Sequence, residues 1–112
     1  MEQQKEFICP FEYALEILSG KWKGLVLFYL GRRGTLRYSQ LRRELKGITQ
    51  KMLTQTLRRL EEEGLIHREV YPVVPPKVEY SLTPKGQSLL PILDALQKWG
   101  DEQLRDKAES DL

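Results

Sequence analysis

The chain has one cysteine, Cys9, and one histidine, His67. Cys9 stands in Ile8-Cys9-Pro10, at or just before the start of a helix. A thiol there feels the positive end of the helix macrodipole, which favours the thiolate that attacks electrophiles and oxidants. Lys5 is close in sequence, while Glu6 and Glu12 act in the opposite direction. A lone cysteine is also often a small buried hydrophobe, so the residue alone leaves both roles open. With no second cysteine in the chain, any disulfide would join two subunits or a small thiol. His67, without neighbouring cysteines, is a poor metal ligand and reads as an ordinary strand residue. Glu61-Glu62-Glu63 reads as a solvated helix end, and Gly31-Arg32-Arg33-Gly34 as a turn rather than a phosphate loop. No Ser-His-Asp set and no dinucleotide fingerprint is present. These absences speak against an enzyme, a metal centre and a cofactor.

The remaining chemistry is electrostatic. Between residues 32 and 59, Arg32, Arg33, Arg37, Arg42, Arg43, Lys46, Lys51, Arg58 and Arg59 face a single acid, Glu44. That segment carries +8 in a chain whose formal net charge is +2, so the other 84 residues carry −6. From Asp94 onward six acids meet three bases. A polyanion facing the middle of the chain, and a different partner facing its end, would account for the split. Solvated helix surfaces are the plainer alternative.

At 112 residues the chain suits one domain with a modest core. No apolar run approaches the roughly 20 residues that span a membrane. The opening MEQQKEFICPFEY lacks a secretory pattern, so a cytoplasmic location is expected.

The elements that must position the cations follow from apolar spacing. Pro10 opens a short helix over about 11–18, with Phe11, Ala14, Leu15 and Leu18 at helical intervals. A second helix, about 21–31, puts Trp22, Leu25, Val26, Tyr29 and Leu30 on one core-facing stripe, and Gly31 and Gly34 bracket the turn after it. Thr35-Leu36-Arg37 is a short extended piece. Ser39 is a plausible N-cap for a brief helix ending near Leu45. After the turn Lys46-Gly47-Ile48, Thr49 caps a longer helix that stops at Gly64. Two helices joined by so short a glycine-containing turn form a helix-turn-helix.

Residues 65–71 and 77–82 read as two strands, with Val78, Tyr80 and Leu82 alternating with polar neighbours. Pro72-Val73-Val74-Pro75-Pro76 predicts a stiff, extended connection between them. A hairpin directly after a helix-turn-helix is the wing of a winged helix. Thr83 caps a final helix to about residue 106, with Pro91 predicting a bend or a restart near Leu90. The fold class is therefore α+β and mostly helical: a winged helix-turn-helix with a two-stranded wing and terminal dimerisation helices, one domain over residues 1–112.

Placed on a helical wheel, Leu53, Leu57 and Leu60 point one way, and Lys51, Thr54, Gln55 and Arg58 point the other. Gln, Lys and Arg match base-edge donors and acceptors in a major groove, and Thr can touch a thymine methyl. Gln50, Lys51, Thr54 and Gln55 are the candidate base contacts. Ser39, Arg42, Arg43 and Arg58 are candidate phosphate contacts, and Lys77 is the candidate wing contact. The alternative is a winged-helix module that binds protein, or DNA without sequence preference. The last helix carries more apolar surface, Trp99 included, than so small a core can cover. Phe7, Ile8 and Phe11 offer it a partner across a two-fold axis, so segments 8–33 and 84–106 are the expected dimer interface.

The runs CPFEYALEILSGKWKGLVLFYL, RYSQLRREL, GITQKMLTQTLRRLEEEGLIHREVYPVVPPKVEYSLTPKG and LPILDALQKWG together resemble the HxlR family, small bacterial transcription regulators related to the MarR group. The match covers about residues 8–100 and is most specific from Gly47 to Gly86. The resemblance implies a homodimer on an operator in double-stranded DNA with two-fold symmetry, and it implies the DNA-reading role for Gln50, Lys51, Thr54, Gln55 and Arg58. It further implies a sensor role for Cys9, because several relatives use a cysteine at that position to detect quinones, aldehydes or oxidants.

Overall fold

A computed structural model describes residues 9–111. The element order is α1 (Pro10–Ile17), α2 (Lys21–Arg33), β1 (Leu36–Arg37), α3 (Tyr38–Glu44), α4 (Gln50–Glu62), β2 (Ile66–Tyr71), β3 (Lys77–Leu82), α5 (Pro84–Gln87) and α6 (Leu90–Ser110). The expected helix-turn-helix is α3 and α4, and the expected hairpin is β2 and β3. The mostly helical winged fold is thus present. The extended piece before α3 does more than connect: β1 pairs antiparallel with β3, Leu36 opposite Tyr80, giving a three-stranded sheet in the order β1-β3-β2.

The core lies where α2, α3 and α4 meet the inner face of this sheet. Val26, Leu27, Leu30, Leu41, Leu45, Leu53, Leu57, Leu60, Leu65, Ile66 and Tyr80 are buried there. Of the stripe expected on α2, Val26 and Leu30 are buried, while Trp22, Leu25 and Tyr29 pack at its margin. Lys23 is buried as well, its ammonium 2.7 Å from the Glu63 carboxylate, which ties α2 to the end of α4.

Three local expectations need correction. Gly31 lies inside α2 rather than in the following turn, and α6 packs close to it there: a Cβ on Gly31 would meet a Leu90 methyl. Ser39 does not cap α3. The helix begins one residue earlier, and the Gln40 side chain accepts the Arg37 N–H at 2.9 Å, stabilising the first turn in place of a serine hydroxyl. The wing connection is bent, not extended: the Val73 N–H donates to the Tyr71 carbonyl at 2.8 Å and the Val74–Pro75 peptide is cis. Of the bend or restart predicted at Pro91, the structure has the restart: α5 ends at Gln87 and α6 begins at Leu90, with Pro91 in its first turn, where a missing N–H costs no hydrogen bond.

The terminal helices leave apolar surface uncovered. No residue of α1 is buried, and Phe11 and Leu15 are exposed. On α6 only Leu93 is buried, while Ile92, Leu96, Trp99 and Leu104 are each more than half exposed. Phe7 and Ile8, expected beside them, lie outside the described residues.

Candidate nucleic-acid interface

The placement of α4 begins with its cap. The Thr49 side chain accepts the Met52 N–H at 3.1 Å, which supplies one of the partners that a helix N-terminus otherwise lacks. Leu53, Leu57 and Leu60 are buried, so the opposite face must meet solvent. Thr56 is also buried, its hydroxyl returned to the Met52 carbonyl at 2.7 Å, so it adds no unpaired polar group to the core. At the far end Gly64, at φ 75, turns the chain into β2. The Thr83 hydroxyl donates to the Gly64 carbonyl at 2.6 Å, and the Lys85 ammonium donates to the Glu63 carbonyl at 2.9 Å. The exit of α4 is therefore fastened to the start of α5.

Gln50, Lys51, Gln55 and Arg58 are exposed together on the outer face of α4. Thr54 is half-buried, its hydroxyl in contact with that of Tyr38 from α3. The Tyr38 hydroxyl donates its one proton to the Gln50 carbonyl at 3.0 Å, so the Thr54 hydroxyl, 3.3 Å away, must donate to Tyr38. Thr54 keeps lone pairs that can accept from a base amino group. Ser39, Arg42 and Arg43 are exposed on α3, adjoining this face. The one acid of the basic segment, Glu44, is engaged by Arg33 at 2.9 Å.

The wing differs from expectation. Lys77 is half-buried, 3.4 Å from the Glu79 carboxylate and over the Tyr71 ring at 4.9 Å, so it is not a free cation. A Glu79 carboxylate hydrogen-bonded to Tyr71 also pushes that phenol above its ordinary value. The exposed cation of the wing is Arg68 on β2, which sequence reasoning missed. Strand parity carried the signal: Ile66 is buried, and Arg68, two residues on, shares its face. Two clefts flank α4. One, about 500 Å³, has Lys21, Gln55 and Arg59 on its walls. The other, about 320 Å³, lies toward the wing between Arg58 and Arg68.

Cys9 is a free, exposed thiol at the N-cap of α1. His67 is exposed and paired with Glu69 at 2.8 Å. Among the described residues no group of His, Cys, Asp and Glu could hold a metal ion, and no helix is long and apolar enough to cross a membrane.

A helix-turn-helix with a β wing, presenting a basic and amide-rich second helix to solvent, defines a winged helix-turn-helix transcriptional regulator. The chain belongs to the HxlR-like helix-turn-helix family, whose model matches residues 17–108. It is 56% identical over 96 residues to the uncharacterized HTH-type transcriptional regulator YkvN of Bacillus subtilis (strain 168), covering 86% of this chain and 80% of that protein. Among solved structures, the redox regulator HypR in its reduced form superposes with a TM-score of 0.80 at 51% identity, covering 91% of this chain and 99% of that one. The reduced form of the transcriptional regulator YodB from B. subtilis gives a TM-score of 0.72 at 34% identity, covering 86% and 94%.

Proposed function

We propose that this regulator acts as a homodimer that reads a two-fold symmetric operator in double-stranded DNA, with α4 of each protomer in the major groove. The observation that carries this reading is the outer face of α4, where Gln50, Lys51, Gln55 and Arg58 are exposed side by side without an acid among them. Gln50, Lys51, Thr54 and Gln55 would contact bases, and Ser39, Arg42, Arg43 and Arg58 phosphates. Lys77, held by Glu79, is a weaker wing contact than expected. Dimerisation through segments 8–33 and 84–106 would cover the apolar surface of α1 and α6 and set two recognition helices on half-sites about 34–36 Å apart. Such a protein works where the chromosome is, in the cytoplasm.

The signal belongs to the same reading. HypR is a redox regulator, and this chain holds its one cysteine exposed at the first helix, beside the proposed interface. Oxidation of two Cys9 thiols to an intersubunit disulfide would pass two electrons to the oxidant and release two protons. An electrophile would instead form an adduct on the sulfur. Either change would alter the separation of the recognition helices.

The test is selection of bound duplexes from a random pool with reduced and with oxidised protein. A two-fold symmetric consensus is expected from the reduced form, and its loss or change on oxidation, abolished in Cys9→Ser. Binding without a consensus, or binding that does not weaken as salt rises, would favour the module that binds protein or DNA indiscriminately. Identical responses of wild type and Cys9→Ser to a quinone would end the sensor role.

A further inference from the structure

The sugar-phosphate strand dividing the major from the minor groove must pass between a helix lying in one and a wing lying over the other. In this chain that passage is the cleft of about 320 Å³ between α4 and β2, with Arg58 on one wall and Arg68 on the other. Both side chains are exposed, and neither makes an ion pair or hydrogen bond to another described residue. Arg68 is fixed there by the sheet. Its cross-strand partner is Tyr80, which is buried, so Arg68 stands at the rim of the core and extends its head group past it. The Tyr38 hydroxyl proton is already committed to the Gln50 carbonyl, and the two guanidinium groups are the charged donors of the cleft, beside the Tyr80 hydroxyl. Planar guanidinium forks match the paired oxygens of a phosphate. Glu61, on the same wall as Arg58, is the one acid among the lining residues.

Resting on the reading that α4 enters the major groove, we propose that Arg58 and Arg68 jointly seat one backbone phosphate at the helix–wing junction, and that Glu61 weakens the hold. A phosphate contact fixes register and carries no sequence information, so Arg68 is a positioning contact for the base-reading residues.

The experiment measures equilibrium binding of the full chain and its variants to labelled duplexes, one of random sequence and one from the selection above, across a range of salt. Arg68→Gln should weaken both by a similar factor, about tenfold, and lower the slope of log K against log salt by about 0.9. Arg68→Lys should keep the wild-type slope and recover part of the affinity. Glu61→Gln should tighten both duplexes, a gain that misfolding cannot imitate. An Arg68→Gln variant with unchanged slope and affinity, or with a loss confined to the selected duplex, overturns the seat, as does a Glu61→Gln variant that gains nothing. If the wild-type chain binds no duplex, the reading of α4 itself has failed. If wild type binds and Arg68→Gln matches it, only the seat has failed.

Discussion

Gln55 sits in the middle of the outer face of α4 and can offer both a donor and an acceptor to a base edge. Gln55→Ala should therefore lose about 1–3 kcal/mol on the selected duplex and little on random DNA, measured as a ratio of dissociation constants. Equal losses on both would remove Gln55 from the base-reading set. On the wing, the Tyr71 phenol should ionise above its ordinary value in an absorbance titration, because the Glu79 hydrogen bond and its negative charge both oppose the phenolate. The neutral phenol is the form favoured by the fold, so its contribution holds below the ordinary value of 10.0 and is lost as pH rises through the raised one. Glu79→Gln should return Tyr71 toward that ordinary value. At this scale the sequence was informative on α4, where helical periodicity separates the buried leucines from the exposed polar residues. It was misleading at Lys77, because a strand pairing that places Val70 opposite Val78 also sets Tyr71, Lys77 and Glu79 within reach of one another. No property of Lys77 by itself encodes that.

The element that depends most on one side chain is α4. Thr49→Ala would leave the Met52 N–H without its cap and should cost about 1 kcal/mol of stability, read from the midpoint and slope of denaturant unfolding. A Thr49→Ser variant, which keeps the acceptor oxygen, should recover most of it. Both capping threonines, Thr49 and Thr83, were legible because a hydroxyl at an N-cap answers to local chemistry alone. The start of α3 was not. There the acceptor came from Gln40, and the preceding residues were drawn into a strand by Leu36 and its partner Tyr80 across a long sequence separation. The division of the last helix was legible in part, since Pro91 demanded either a bend or a restart, and only packing of Leu89 and Leu90 on the core decides between them.

The whole molecule is asymmetric in what it leaves open. One end carries cations on α3 and α4, and another carries bare apolar side chains on α1 and α6. Leu96 is 55% exposed in the isolated chain, so Leu96→Glu should hardly change the stability of a monomer. It should, however, halve the mass seen by analytical ultracentrifugation, from the proposed dimer to the 13.1 kDa protomer, and abolish preference for a symmetric site. An unchanged mass would place the contact between protomers elsewhere. The uneven charge along the chain foreshadowed this polarity, because charge per segment survives folding whatever the topology.

The close crossing at Gly31 and Leu90 sets how the long arm of the molecule leaves its body. α6 has 21 residues and is about 30 Å long, so each degree of tilt at its base swings the far tip by about half an ångström. If that arm joins the twin subunits, an added methyl at position 31 would act as a wedge under a lever, changing the ruler with which the pair measures DNA without touching a single contact to it.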